Sequence, residues 1–177
     1  MAKSATLQSR ELESRLVIGS VRYAGVMIGV ALLMGLIFRE VSRPFFKGVS
    51  LEDQLLYGHA MSTVHGHTFL LGAAIPLGLA VMTYLARQTL TPKAIRQLRT
   101  LQAIYIGSSV AAVALMLYKG LAFIVSTGLG LEAIDDGLFF GSVALRSSLF
   151  GVVHTSLAVS LVWYIVKVNR ALRTLPR

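Results

Sequence analysis

The chain has 177 residues, 55 % of them hydrophobic and 14 % charged, with a mean hydropathy of +0.69, a net charge of +9 and no cysteine. Apolar content at this level, gathered in long blocks, excludes a water-soluble domain. The lack of cysteine excludes disulfides, thiolate metal sites, iron–sulfur clusters and c-type haem attachment.

Four stretches are long enough to cross about 30 Å of hydrocarbon at 1.5 Å per residue. They run from Leu16 to Phe38, Tyr57 to Ala86, Leu101 to Val125 and Phe140 to Val166. Residues 1–15 are polar and of mixed charge and read as a cytoplasmic tail without the apolar run of a signal peptide. Residues 16–170 form one transmembrane domain and 171–177 a second tail. Ser50 and Asp53 have the spacing of a capping box before helix two, and Pro76 is placed to kink that helix. Thr91 followed by Pro92 marks the start of helix three.

Eleven bases lie in the N-terminal tail, the second loop and the C-terminal tail: Lys3, Arg10, Arg15, Arg87, Lys93, Arg96, Arg99, Lys167, Arg170, Arg173 and Arg177. The opposite side has Arg39, Arg43 and Lys47, and its third loop holds the acids Glu132, Asp135 and Asp136. This asymmetry accounts for the positive charge without nucleic acid and puts both termini in the cytoplasm. The fold expected is an all-α, up-down-up-down bundle of four transmembrane helices. Tyr84, Trp163 and Tyr164 are expected as interfacial anchors near the cytoplasmic ends.

Ionisable groups inside a bilayer are costly and mark function. They are His59, His65 and His67 on helix two, His154 on helix four, and Arg22, Lys119 and Arg146. At 100° per residue His65 and His67 point about 160° apart, so they serve different faces. The His65 face carries Gly58, Met61 and Gly72, and the His67 face Ala60, Thr63 and Gly78, so periodicity does not choose between them.

His65 and His154 each lie about fourteen residues into helices that run the same way, which gives them comparable depth. Two neutral imidazoles across a four-helix bundle suit axial ligation of b-type haem, and Gly72 and Gly151 leave room for a porphyrin. No acid lies within a span to neutralise Lys119 and Arg146, and outward-pointing propionates would do so. His59 lies nearest the outer interface and is the weakest ligand candidate. Plainer readings stand beside these: histidines bonding between helices, and bases snorkelling to the interface. A glycine-rich phosphate loop, G-x-S-x-G, H-E-x-x-H and paired carboxylates within a span are all absent.

The order of Gly35-Leu-Ile-Phe-Arg39-Glu40, Val64-His-Gly-His67-Thr-Phe-Leu-Leu-Gly72, Met116-Leu-Tyr-Lys119-Gly120 and Gly151-Val-Val-His154 resembles an uncharacterised family of small prokaryotic four-helix membrane proteins. Its patterns there read F-Y-R-E, H-T-H-x-x-x-L-G, M-x-x-R-G and G-I-G-H. Lys119 stands where arginine is usual, and His59, Arg22 and Arg146 are additions. More distantly, the His-x-His segment is similar to the haem-bearing second helix of haem-copper oxidase and nitric oxide reductase catalytic subunits. That similarity implies haem shared by helices two and four, without the further histidines of a copper centre.

The sequence thus leads to a b-type haem-binding protein of the prokaryotic cytoplasmic membrane, its iron held by His65 or His67 with His154. Its role would be electron transfer or the sensing or handling of a small gas (O2 or NO), with haem-dependent oxidoreductase activity left open. One alternative is a copper- or zinc-binding or transport protein using the histidines and Met61. Another is a cofactor-free structural or assembly subunit of a respiratory complex. Beyond the lipid bilayer, the partners open to it are a second copy or a respiratory-chain protein.

Overall fold

The computed structural model describes residues 2–45, 50–128 and 138–174. It is almost wholly helical in these segments, with a loop at 87–91: α1 (Ala2–Phe45), α2 (Leu51–Phe69), a π-helical turn (Leu70–Ala74), α3 (Ile75–Ala86), α4 (Pro92–Gly128), a short turn (Leu138–Gly141) and α5 (Val143–Leu172). Four helical stretches are long and apolar enough to cross a membrane: Glu11–Glu40, Tyr57–Ala86, Pro92–Ala122 and Val143–Leu172. Each expected span is present. α1 extends back through the polar N-terminal residues, supported on its surface by the Arg15–Glu11 pair at 2.7 Å, one turn apart. The acids of the third loop and Lys47 lie outside the described residues.

Small and polar residues are prominent among those turned inward, and many large apolar ones face outward. Ser20, Ala24, Ala31, Thr68, Ser109, Ala112 and Ser160 are buried, whereas Val26, Leu32, Val152 and Val159 are each at least 60 % exposed. That arrangement suits a lipid-facing surface, where close helix approach depends on small side chains. A Cβ at Gly120 on α4 would run into Met61 Cε of α2, so glycine there lets the two helices meet.

Named contacts give the helix directions. α1 lies antiparallel to helix two, through Met27 at Gly72, Ala31 at His65 and Phe38 at Tyr57. It lies parallel to α4, with Gln102 donating to Leu16 O and Ser20 Oγ and Tyr23 donating to Ser109. α5 lies antiparallel to α4, with Lys167 Nζ donating to Gln97. At the basic end, around the 87–91 loop, a core of Leu16, Leu79, Ala86, Ile95, Leu98, Tyr164 and Val168 ties all four stretches together.

Local chemistry accounts for the ends. Thr91 Oγ1 accepts from Ala94 N, as the cap expected before Pro92. α5 begins at Val143 behind an N-cap at Ser142, whose side chain accepts from Leu145 N. Phe139, Phe140 and Gly141 all have φ between 54° and 73°, a left-handed turn that stops the helix from starting at Phe140 as expected. Tyr164 is buried. Thr83 Oγ1 donates to Leu79 O, so the Tyr164 hydroxyl, 2.7 Å from that oxygen, donates to it. Tyr164 is therefore a core residue rather than an interfacial anchor, while Tyr84 and Trp163 are exposed and Arg87 lies over the Tyr84 ring.

Pro76 acts on helix two through the π turn. Ile75 N bonds Leu70 O, so Leu71 O has neither that donor nor one from Pro76, which has no N–H. The Tyr105 hydroxyl of α4 donates to Leu71 O at 2.7 Å and satisfies it.

Candidate functional site

Helix two buries a stripe of Tyr57, Met61, Val64 and Thr68. At 100° per residue His65 lies about 70° to one side of this stripe and His67 about 90° to the other. His65 Nδ1 is 2.8 Å from Ala31 O, and its ring lies against the backbone of Gly35, where a Cβ would come within 3.1 Å of Cε1. His65 is thus joined to α1. His67 is half-buried on the flank away from α1, its Nδ1 2.9 Å from Thr63 O one turn back.

On α5, His154 is exposed, with Nδ1 2.8 Å from Phe150 O and its ring stacked on Phe150 at 5.9 Å. The buried stripe of α5 is Leu157, Ser160, Tyr164 and Val168. Lys167, which reaches α4, lies to one side of it and His154 about 75° to the other, the side of helix two. α3 packs on α5 through Thr83 and Tyr164, but α2 and α5 share no extended contact among the described residues. The histidine-bearing half of helix two therefore stands apart from α5, each packing on α4.

Depth follows from the contacts. Leu71 is level with Tyr105, so His67, four residues earlier on an antiparallel helix, is level with Ser109. Lys167 is level with Gln97, so His154, thirteen residues earlier, is level with Val110. The direct contact of Thr83 with Tyr164, on stretches that run the same way, instead puts His67 level with Ser148, six residues or about 9 Å along the axis from His154.

A carbonyl oxygen only accepts, so Nδ1 carries the proton in all three rings, and Nε2 of a neutral ring holds the lone pair that binds a metal. Gly66 and Gly151 face open space, where a Cβ would meet nothing within 4 Å. Gly72 faces α1 instead: a Cβ there would lie 2.7 Å from the Met27 side chain. Gly72 serves helix packing and does not open room beside His67. Lys119 is exposed on α4, one residue from Gly120, and Arg146 is half-buried in the first turn of α5. His59 is exposed, two turns from His67 and nearly opposite the buried stripe of α2, and its carbonyl accepts from Thr63 Oγ1.

No protein-family model, curated protein or solved structure matches the chain. Among the described residues no group of three or more His, Cys, Asp or Glu comes together that could hold a metal ion, and Met61 is buried against Tyr57 and Val64. A porphyrin makes a smaller demand, since it brings four nitrogens and asks the protein for one or two axial ligands.

An aromatic chain escaped the sequence reading. Tyr118 meets Phe139 edge-on at 5.2 Å, Phe139 meets Phe150 at 6.1 Å, and Phe150 stacks on His154. The left-handed turn makes this possible by sending Phe139 inward and Phe140 outward, and Phe-Phe-Gly ahead of a Ser cap was its one signal.

Proposed function

We propose that the chain is an up-down-up-down bundle inserted in a prokaryotic cytoplasmic membrane, with both termini in the cytoplasm, that binds b-type haem between α2 and α5. His67 and His154 would hold it through Nε2, and His65 is a clamp between helices one and two. One observation carries this reading: both rings give Nδ1–H to the carbonyl one turn back, which leaves Nε2 of each as the free ligand atom. A hydrogen bond of this kind fixes the ligating tautomer and orients the ring. Phe150 stacks on His154 and steadies its ring.

Lys119 and Arg146, toward the 138–141 end, are the residues to receive the propionates. Haem held by two histidines would supply one-electron chemistry. The chain's own groups hold it, exclude water with apolar walls and set its charge balance. Electron transfer in the membrane is the role this supports.

The test is an absorption spectrum of detergent-purified protein expressed with ample haem. A Soret band is expected, lost or shifted to a single-ligand form in His67→Ala and in His154→Ala. His65→Ala should keep the pigment and lose thermal stability. A colourless wild type overturns the reading, and pigment that depends on His65 alone overturns the ligand assignment.

A further inference from the structure

The buried face of α1 consists of Leu16, Ser20, Ala24, Met27 and Ala31, and Arg22 lies almost diametrically opposite it, about 160–180° around the helix. Its neighbours on the surface are Ile18, Val21 and Val26, which are 45, 48 and 65 % exposed. Among the described residues Arg22 has no ion pair; Arg15, seven residues earlier and about 20° away on the same face, is paired with Glu11. Seven residues separate the two guanidinium-bearing positions by about 10.5 Å along the axis. Side chains lean toward the helix N-terminus, so Arg22 inclines toward Arg15 and the basic end. On the other side of Arg22, Gly25 and Gly29 face outward, and a Cβ at either would meet nothing within 4 Å.

A guanidinium that faces hydrocarbon with no protein anion must reach one in the surrounding solvent, and here that solvent is lipid. The arginine fork matches the two free oxygens of a phosphodiester. The glycines leave a shallow trough on the surface directly beyond it. A second copy of α1 in that trough would run parallel and set Arg22 against Arg22, which disfavours a dimer through this face. Arg87, Lys93, Arg96 and Arg99 are also exposed at the basic end, so a headgroup with net negative charge suits the region better than a zwitterionic one.

We propose that the outward face of α1 binds an anionic phospholipid, its phosphate at Arg22 and an acyl chain along the trough at Gly25 and Gly29. This rests on the membrane-inserted reading above and not on haem.

The probe is the full chain released from membranes of equal phosphatidylglycerol and phosphatidylcholine, with retained lipid read by native mass spectrometry. Wild type is expected to keep phosphatidylglycerol over phosphatidylcholine by about fivefold, the factor carried by one base near a charged surface. Arg22→Leu should bring the ratio near one, Arg22→Lys should keep most of it, and a Gly25→Leu/Gly29→Leu double variant should lose lipid with the charge intact. Each variant is first shown to keep the wild-type circular dichroism and elution volume, and Arg22→Lys reports on the charge if Arg22→Leu fails to fold. Equal retention of the two lipids, an unchanged ratio in Arg22→Leu, loss of the lipid to added inorganic phosphate, or a dimer cross-linked through positions 25 and 29 would each overturn the proposal. Extraction of the chain by alkaline carbonate would overturn membrane insertion itself, a failure distinct from insertion without lipid preference.

Discussion

Tyr105→Phe removes a single oxygen from a residue that is 1 % exposed and leaves Leu71 O without a donor. An unsatisfied buried carbonyl costs about 1–3 kcal/mol. In a chain of this length that lowers Tm by roughly 2–12 °C, at about 2–4 °C per kcal/mol. The assay is thermal unfolding in detergent, followed by circular dichroism. Pro76→Ala makes it specific, because the new N–H at position 76 comes within one helical register of Leu71 O. Tyr105→Phe should therefore cost less in the Pro76→Ala background than in wild type, with a coupling of at least about 0.5 kcal/mol in the double-mutant cycle. Additive effects, or a Tyr105→Phe variant as stable as wild type, would refute the claim that this hydroxyl answers the carbonyl left by the proline.

Gly35→Ala places a methyl 3.1 Å from Cε1 and 3.2 Å from Nδ1 of His65, in a contact backed by the Ala31 hydrogen bond. Overpacking there should destabilise by about 1–2 kcal/mol. Thermal unfolding should show most of that loss relieved when His65→Ala is added. Ser142→Ala removes the side-chain cap of α5, worth about 1 kcal/mol. A lower unfolding temperature is expected, with Ser142→Asp close to wild type.

What was legible in the sequence is what depends on one helix at a time. Length and apolar content located all four stretches, and Thr91 with Pro92 gave the start of α4 because a cap bonds only its own first turn. The divergence of His65 and His67 followed from helical geometry alone. Which of them clamps helix one did not, because the answer sits on α1, in Ala31 O and the missing side chain of Gly35. Trp163 and Tyr164 look alike as interfacial aromatics. They stand 100° apart, and only the position of Thr83 on helix two makes one of them core. Gly72 misled for the same reason, its use being set by Met27 on another helix.

The π turn links these observations. Read at a constant 100° per residue, the buried stripe of α2 and that of α3, Pro76, Leu79, Ala80, Thr83 and Ala86, are about 65° out of phase. A π turn takes up one extra residue, about 100° of rotation, and leaves the two stripes about 35° apart on one face. A phase jump next to a proline is thus a sequence signal for the turn. The histidines lie on the N-terminal side of that inserted residue, while Thr83, which touches α5, lies on the other side. The azimuth of His67 relative to α5 is therefore set by the π turn. Without the extra residue the histidine-bearing half would rotate by about 100° against α3, and His67 would no longer stand on its present flank. Leu70–Ala74 and the Tyr105 hydroxyl that satisfies Leu71 O are accordingly part of what positions the candidate ligand.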